Sequence, residues 1–222
     1  MRNILLENGP LIAGVLAVLE LIISLLLLRR YGRERRLIRL LMALVALGLT
    51  YDAAVLACGS FLPDVVLKPL SQLRFILHGV LIPLLLPICA EALGWKKKAK
   101  TVVWIVTALL MAVGLVSGIL TKLEPSQAAG ITRYLSGEGT PALADRFTRI
   151  LSYGTVVPLI AAGIVVWIKK KDPCLFLAGF LMFAFSAIGP ATGNFDLIFL
   201  IGMFGELFMV LFFLLYGRKT KS

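Results

Sequence analysis

Residues 11–28 read LIAGVLAVLELIISLLLL, and residues 29–36 read RRYGRERR. A long apolar run followed at once by a dense arginine cluster is the pattern of a helix that crosses hydrocarbon and stops at a charged surface. Pro10 stands just before the run, where a helix's first turn tolerates a residue without an N–H. The single acid, Glu20, falls near the middle of the run. The stretch therefore decides the solvent and supplies the first clue to function.

Working outward, the rest of the chain repeats this pattern. Of 222 residues, 59% are hydrophobic and 16% charged, whereas soluble domains average about 45–50% and about 25%. Mean hydropathy is +0.95. Further apolar stretches cover residues 37–58, 70–93, 102–120, 150–168, 174–189 and 195–216. They are too long for membrane β-strands and lack the alternation of a barrel. The expected fold is all-α, a polytopic bundle of seven transmembrane helices forming a single domain over residues 1–222.

Basic residues set the orientation. Arg29, Arg30, Arg33, Arg35, Arg36 and Arg39 follow span one; Lys96, Lys97, Lys98 and Lys100 follow span three. Lys169, Lys170 and Lys171 follow span five, and Arg218, Lys219 and Lys221 follow span seven. All four clusters fall on one side only if the number of spans is odd. The N-terminus is then outside and the C-terminus cytoplasmic. The order of charge around span one is the reverse of a signal peptide's, so that span is expected to be retained.

The formal net charge of +11 is accordingly topology rather than a nucleic-acid surface, because no basic face with interleaved aromatics appears. The expected partner is the bilayer itself, with anionic inner-leaflet lipids drawn to the clusters; an oligomeric state is not assigned. The location expected is the bacterial cytoplasmic (plasma) membrane. Cys58, Cys89 and Cys174 do not share an oxidising face, so structural disulfides are not expected. One long outer connection, residues 121–148, is broken by Pro125, Gly130, Gly137, Gly139 and Pro141. It is either a lid over a cavity or a plain surface loop. Its end, residues 141–149, suits a short interfacial helix.

Ionisable groups inside spans are costly and default to function. They are Glu20 in span one, Asp52 in span two, Arg74 and His78 in span three, and Glu206 in span seven. These are the candidate substrate- or proton-binding residues. Tyr51, Glu91, Asn194 and Asp196 are secondary candidates, Glu91 and Asp196 lying nearer the boundaries. Spans two and three are consecutive, so an Asp52–Arg74 ion pair is the most economical arrangement, with His78 one turn along on the same face as Arg74. Ala13, Ala17, Glu20 and Ser24 form a small and polar stripe on span one. Gly48 precedes Asp52 by one turn, as Gly202 precedes Glu206, and small residues let a neighbouring helix approach. Pro83, Pro87 and Pro158 are expected to break or kink their helices, and Pro83 frees the carbonyl of Gly79 beside His78.

Several chemistries fail. His78 is the chain's one histidine, too few for a zinc site, and no metal or other cofactor is expected. Span seven has no lysine for a retinal Schiff base, and there is no GxSxG motif. Tyr51-Asp52 matches half of an aspartyl intramembrane protease motif pair, but Gly193-Asn-Phe-Asp196 lacks the second glycine of the other half. An imidazole beside carboxylates in low dielectric can change charge near neutral pH. The leading expectation is a small proton-linked solute carrier or channel, its substrate a small molecule or the proton. Arg74 would bind an anionic group or pair with Asp52, and His78 with Glu206 would relay the proton. Two alternatives stay open: an intramembrane enzyme acting on a lipid or isoprenoid, and a non-catalytic sensor or assembly subunit.

Overall fold

The computed structural model describes residues 8–191 and 198–217. The described chain runs through helices α1 (Gly9–Glu34), α2 (Leu37–Ala57), α3 (Asp64–Leu81), α4 (Leu85–Ala92) and α5 (Lys97–Leu120). Strands β1 (Leu123–Ala128) and β2 (Ile131–Ser136) follow, then α6 (Ala142–Lys170), α7 (Cys174–Ala191) and α8 (Ile198–Leu215). Among the described residues, the regular structure is helical apart from one hairpin. Among the described residues, five helical segments are long and apolar enough to cross a membrane: Gly9–Glu34, Leu37–Ser60, Asp64–Ala92, Lys97–Leu120 and Ile198–Leu215. With its 26 residues, α1 reaches about 39 Å at 1.5 Å per residue, more than the roughly 30 Å of hydrocarbon. The length and apolarity of these helices are compatible with an integral membrane protein.

The helices close into a ring. Helix α1 packs on α2 and α8, α8 on α7, α7 on α6, α6 on α5, α5 on α3, and α3 on α2. Short α4 continues α3 and lies against α2, α5 and α6. Leu27, Met42, Leu49, Leu85, Ile88, Leu159, Leu175 and Phe213 fill the larger core. The outward faces are as apolar as the core: Leu11, Val15, Val18, Ile22 and Leu25 on α1, and Val102, Ile105, Leu109, Val116 and Ile119 on α5, are all exposed. A helix apolar all round belongs in lipid rather than water.

Two ends can be told apart. At one, Arg30 Nη1 donates to the Leu214 carbonyl (2.7 Å), Arg39 Nη2 to the Tyr216 carbonyl (2.9 Å) and Lys170 Nζ to the Ala92 carbonyl (2.7 Å). This is the basic end, where the arginine cluster after α1 meets the last turns of α4, α6 and α8. Helix α1 stops there with Arg35 at φ 51° and α6 with Lys171 at φ 55°. Each cap N–H returns to a carbonyl of its own last turn, so the left-handed conformation is offset by a satisfied backbone group.

At the other end sits the hairpin, in the segment that the sequence presents as a loop. Leu123 pairs with Ser136 and Ala128 with Ile131. The turn residues between them, Ala129 (φ 51°) and Gly130 (φ 72°), both have positive φ. That is the type I′ geometry whose twist suits a two-residue hairpin. The tip is inserted into the bundle, where Ala129 and Ile131 join Ala13, Leu16, Ala53, Leu56, Leu200 and Met203 in a second apolar cluster. Gly9 and Gly59 make room for it: a Cβ on either would meet the carbonyl of Ala129 or Thr132. Ser60 Oγ donates to the Gly130 carbonyl (2.5 Å). Residues 142–148 are not a separate interfacial helix. They are the first two turns of α6, so the true connection is shorter than 121–148.

Candidate functional site

Span three carries the site because proline breaks it. Helix α3 ends at Leu81, a 3-10 turn occupies Ile82–Leu84 around Pro83, and α4 resumes at Leu85. The break leaves the Gly79 carbonyl in the space that a Gly114 side chain would occupy, and the Gly114 carbonyl stands in the corresponding position at Gly79. One turn further along α5, Gly118 lies against the backbone of Ile76. Paired glycines at helical spacing thus bring α3 and α5 into backbone contact. Gln72 ties the crossing by donating to the Gly118 carbonyl and to the Thr121 carbonyl (3.3 Å).

Above that crossing the expected ion pair forms. Arg74 Nε donates to Asp52 Oδ1 at 2.9 Å, both side chains being mostly buried. Arg74 Nη2 donates to the Tyr134 carbonyl of β2 (3.3 Å), and the guanidinium lies 5.2 Å from the Phe75 ring centroid. Its Nη1 is buried and has no hydrogen-bond partner. Arg74, Asp52 and His78 line a cavity of about 190 Å³. Its remaining walls come from Phe75 and Gly79 on α3, Gly114 and Gly118 on α5, Thr121, and Phe147, Thr148 and Leu151 on α6. The hairpin therefore holds the arginine at the mouth of a space enclosed by α2, α3, α5 and α6.

Glu20 and Glu206 do not line the cavity, but they share its field. The Asp52 charge acts on Glu20, His78 and Glu206, and the Arg74 charge acts on His78 and Glu206. Glu20 is wholly buried, and neither of its carboxyl oxygens has a partner. The same holds for Glu206 Oε2. Such a carboxyl, if ionised in an apolar bundle, costs several kcal/mol until a proton or cation joins it. On the same face of α1, Ser24 Oγ and Thr50 Oγ1 lie 3.0 Å apart. Thr50 gives its hydroxyl proton to the Ala46 carbonyl (2.9 Å), so Ser24 must be the donor between them. The small and polar stripe of span one, Ala13, Ala17, Glu20 and Ser24, is entirely buried.

The other sequence candidates fall elsewhere. Tyr51 donates its hydroxyl to the Leu70 carbonyl (3.0 Å) and so fastens α2 to α3. Glu91 belongs to the basic end, where Lys100 Nζ meets its Oε2 at 2.7 Å. Asn194 and Asp196 lie outside the described residues. Gly48 does receive its neighbour, the side chain of Leu81, but Gly202 faces open space; the close approach near Glu206 is made by Gly205 against Met182 and Phe185 of α7. Pro158 is accommodated inside a continuous α6, and Pro87 inside α4. The glycine spacing of Gly114 and Gly118 was visible in the sequence as a small-residue repeat in an apolar helix. Phe147 and Thr148 were hidden in apparent loop.

No family model matches the chain, and no curated protein matches it in sequence.

Proposed function

We propose that this chain is a seven-span protein of the bacterial cytoplasmic membrane, its hairpin end outside and its basic end in the cytoplasm, and that it works as a small proton-linked solute carrier or channel. The ring order of α1 to α8 and the gathering of the basic segments at one end support the count and the orientation. One observation carries the activity. The buried Arg74 Nη1 has no partner and belongs to a residue lining a cavity beside His78, while the Glu20 carboxyl and Glu206 Oε2, also without hydrogen-bond partners, lie within electrostatic reach.

In this reading Arg74 receives the anionic group of the solute with the nitrogen that Asp52 and Tyr134 leave over. His78 and Glu206 pass a proton, and Glu20 shares the load. The cavity measures only about 190 Å³, so the solute is small. A lipid or isoprenoid substrate fits the volume poorly, since sites for drug-sized ligands begin at about 300 Å³. The test is proton entry into vesicles loaded with a pH-sensitive dye. Purified protein is reconstituted and small carboxylates or inorganic phosphate are added outside. Solute-dependent acidification is expected for the wild type and is lost in Glu206→Gln and His78→Gln. Wild-type acidification in both variants overturns the relay.

A further inference from the structure

A second polar cavity, of about 520 Å³, opens at the basic end between the start of α2, the ends of α4, α6 and α8, and the α6–α7 connection. Its cationic walls are Arg36, Arg39 and Lys170, and its acidic walls Glu91 and Asp172. The acids are already engaged. Asp172 Oδ1 accepts the Cys174 N–H (2.9 Å) and Oδ2 the Gly217 N–H (2.7 Å), while Glu91 Oε2 holds Lys100. The cations are not all engaged. Arg39 is 2% exposed. Its Nε donates to Glu34 Oε2 (3.0 Å) and its Nη2 to the Tyr216 carbonyl, and the guanidinium stands 5.6 Å from the Tyr216 ring centroid. Its Nη1 is buried with no partner. Tyr216 and Glu34 thus lock a guanidinium in place while leaving one of its donor nitrogens unused. Lys170 spends one donor on the Ala92 carbonyl and keeps two. Arg36 is exposed, at the rim.

We infer that this cavity is a phosphate-binding site, built on Arg39 with Arg36 and Lys170. A planar guanidinium fixed by its neighbours suits a tetrahedral oxyanion, and basic pockets between helix ends hold phosphorylated headgroups. The site is separate from the Asp52–Arg74 cavity and does not depend on the transport reading. The phosphate belongs either to an anionic phospholipid or to a soluble ion. The same chemistry serves both.

The experiment measures the melting temperature of the full chain in non-ionic detergent. Phosphatidylglycerol mixed micelles are titrated in one arm and inorganic phosphate in another, with chloride at matched ionic strength as the control. A rise with lipid alone identifies the headgroup as the source; a rise with phosphate as well identifies a free-ion site. Arg36→Gln leaves the Arg39 contacts intact and is expected to weaken the response about tenfold in concentration, the loss of one charge-assisted contact. Arg39→Lys keeps the charge, loses the fork and is expected to weaken it at least as much. A rise no greater than in chloride, or equal responses in wild type and Arg36→Gln, overturns the site.

Discussion

Asp52 and Arg74 form the pair that ties α2, α3 and the hairpin together at one end of the bundle. Asp52→Asn leaves a mostly buried guanidinium donating to the Tyr134 carbonyl with no carboxylate beside it, and is expected to lower stability by on the order of 2–4 kcal/mol. Combining it with Arg74→Gln should recover part of that loss, because the stranded charge goes too. Melting temperatures of the three variants in one detergent check both statements. The pair was legible in the sequence because two consecutive spans, joined by a short connection, carried opposite charges at similar depth. Arg39 was not legible as a buried residue. It stood in a run of arginines whose simplest reading is topology, and only the turn at Arg35 and the last residues of α8 bring Glu34 and Tyr216 around it. Likewise, the backbone contact of Gly79 with Gly114 needs both helices in place before either glycine has a reason.

Among the elements, the hairpin was the least visible from sequence. Its strands bury Leu123, Ala128, Ile131 and Tyr134 while exposing or half-exposing the rest, which is no strict alternation. The burial pattern is imposed by the helices beneath it rather than by a sheet: α1, α2 and α8 around Ile131, and α2 and α3 around Leu123 and Tyr134. Its turn, by contrast, has a sharp physical requirement. Gly130→Ala puts a Cβ on a residue at φ 72° and is expected to cost about 1–2 kcal/mol, seen as a lower melting temperature and faster proteolytic cleavage within residues 123–136. The hairpin is also fastened through Tyr134, where burial and the nearby Asp64 carboxylate both push the phenol up. A phenol raised in the folded state contributes stability that is complete below its ordinary value of about 10 and is lost as the pH rises through the raised value. Tyr134→Phe should therefore be less stable than the wild type at neutral pH, and the gap should close at strongly alkaline pH. Comparing melting curves across that range measures it. A proline in mid-run has a local, sequence-visible consequence at Pro83, where span three passes through a 3-10 turn, whereas α6 runs on through Pro158.

For the whole molecule, apolarity and basic clusters were enough to expect a helical membrane bundle, and the closed ring with one basic end is what such a sequence would need. The proposed orientation makes Cys58 a reporter, for it is exposed beside the hairpin whereas Cys89 is buried in the core. In intact cells a membrane-impermeant maleimide should label wild type and leave Cys58→Ser unlabelled. Labelling of wild type only after the membrane is opened would reverse the topology.

The proposed activity couples a small anion to a proton in the ionisable core. Its most direct test compares three proteins in dye-loaded vesicles, following bound radiolabelled solute and internal pH together. The wild type should bind solute and acidify the lumen. Arg74→Gln should do neither, and the double variant Glu20→Gln with Glu206→Gln should bind solute while moving no protons. Proton entry undiminished in the double variant would contradict the account.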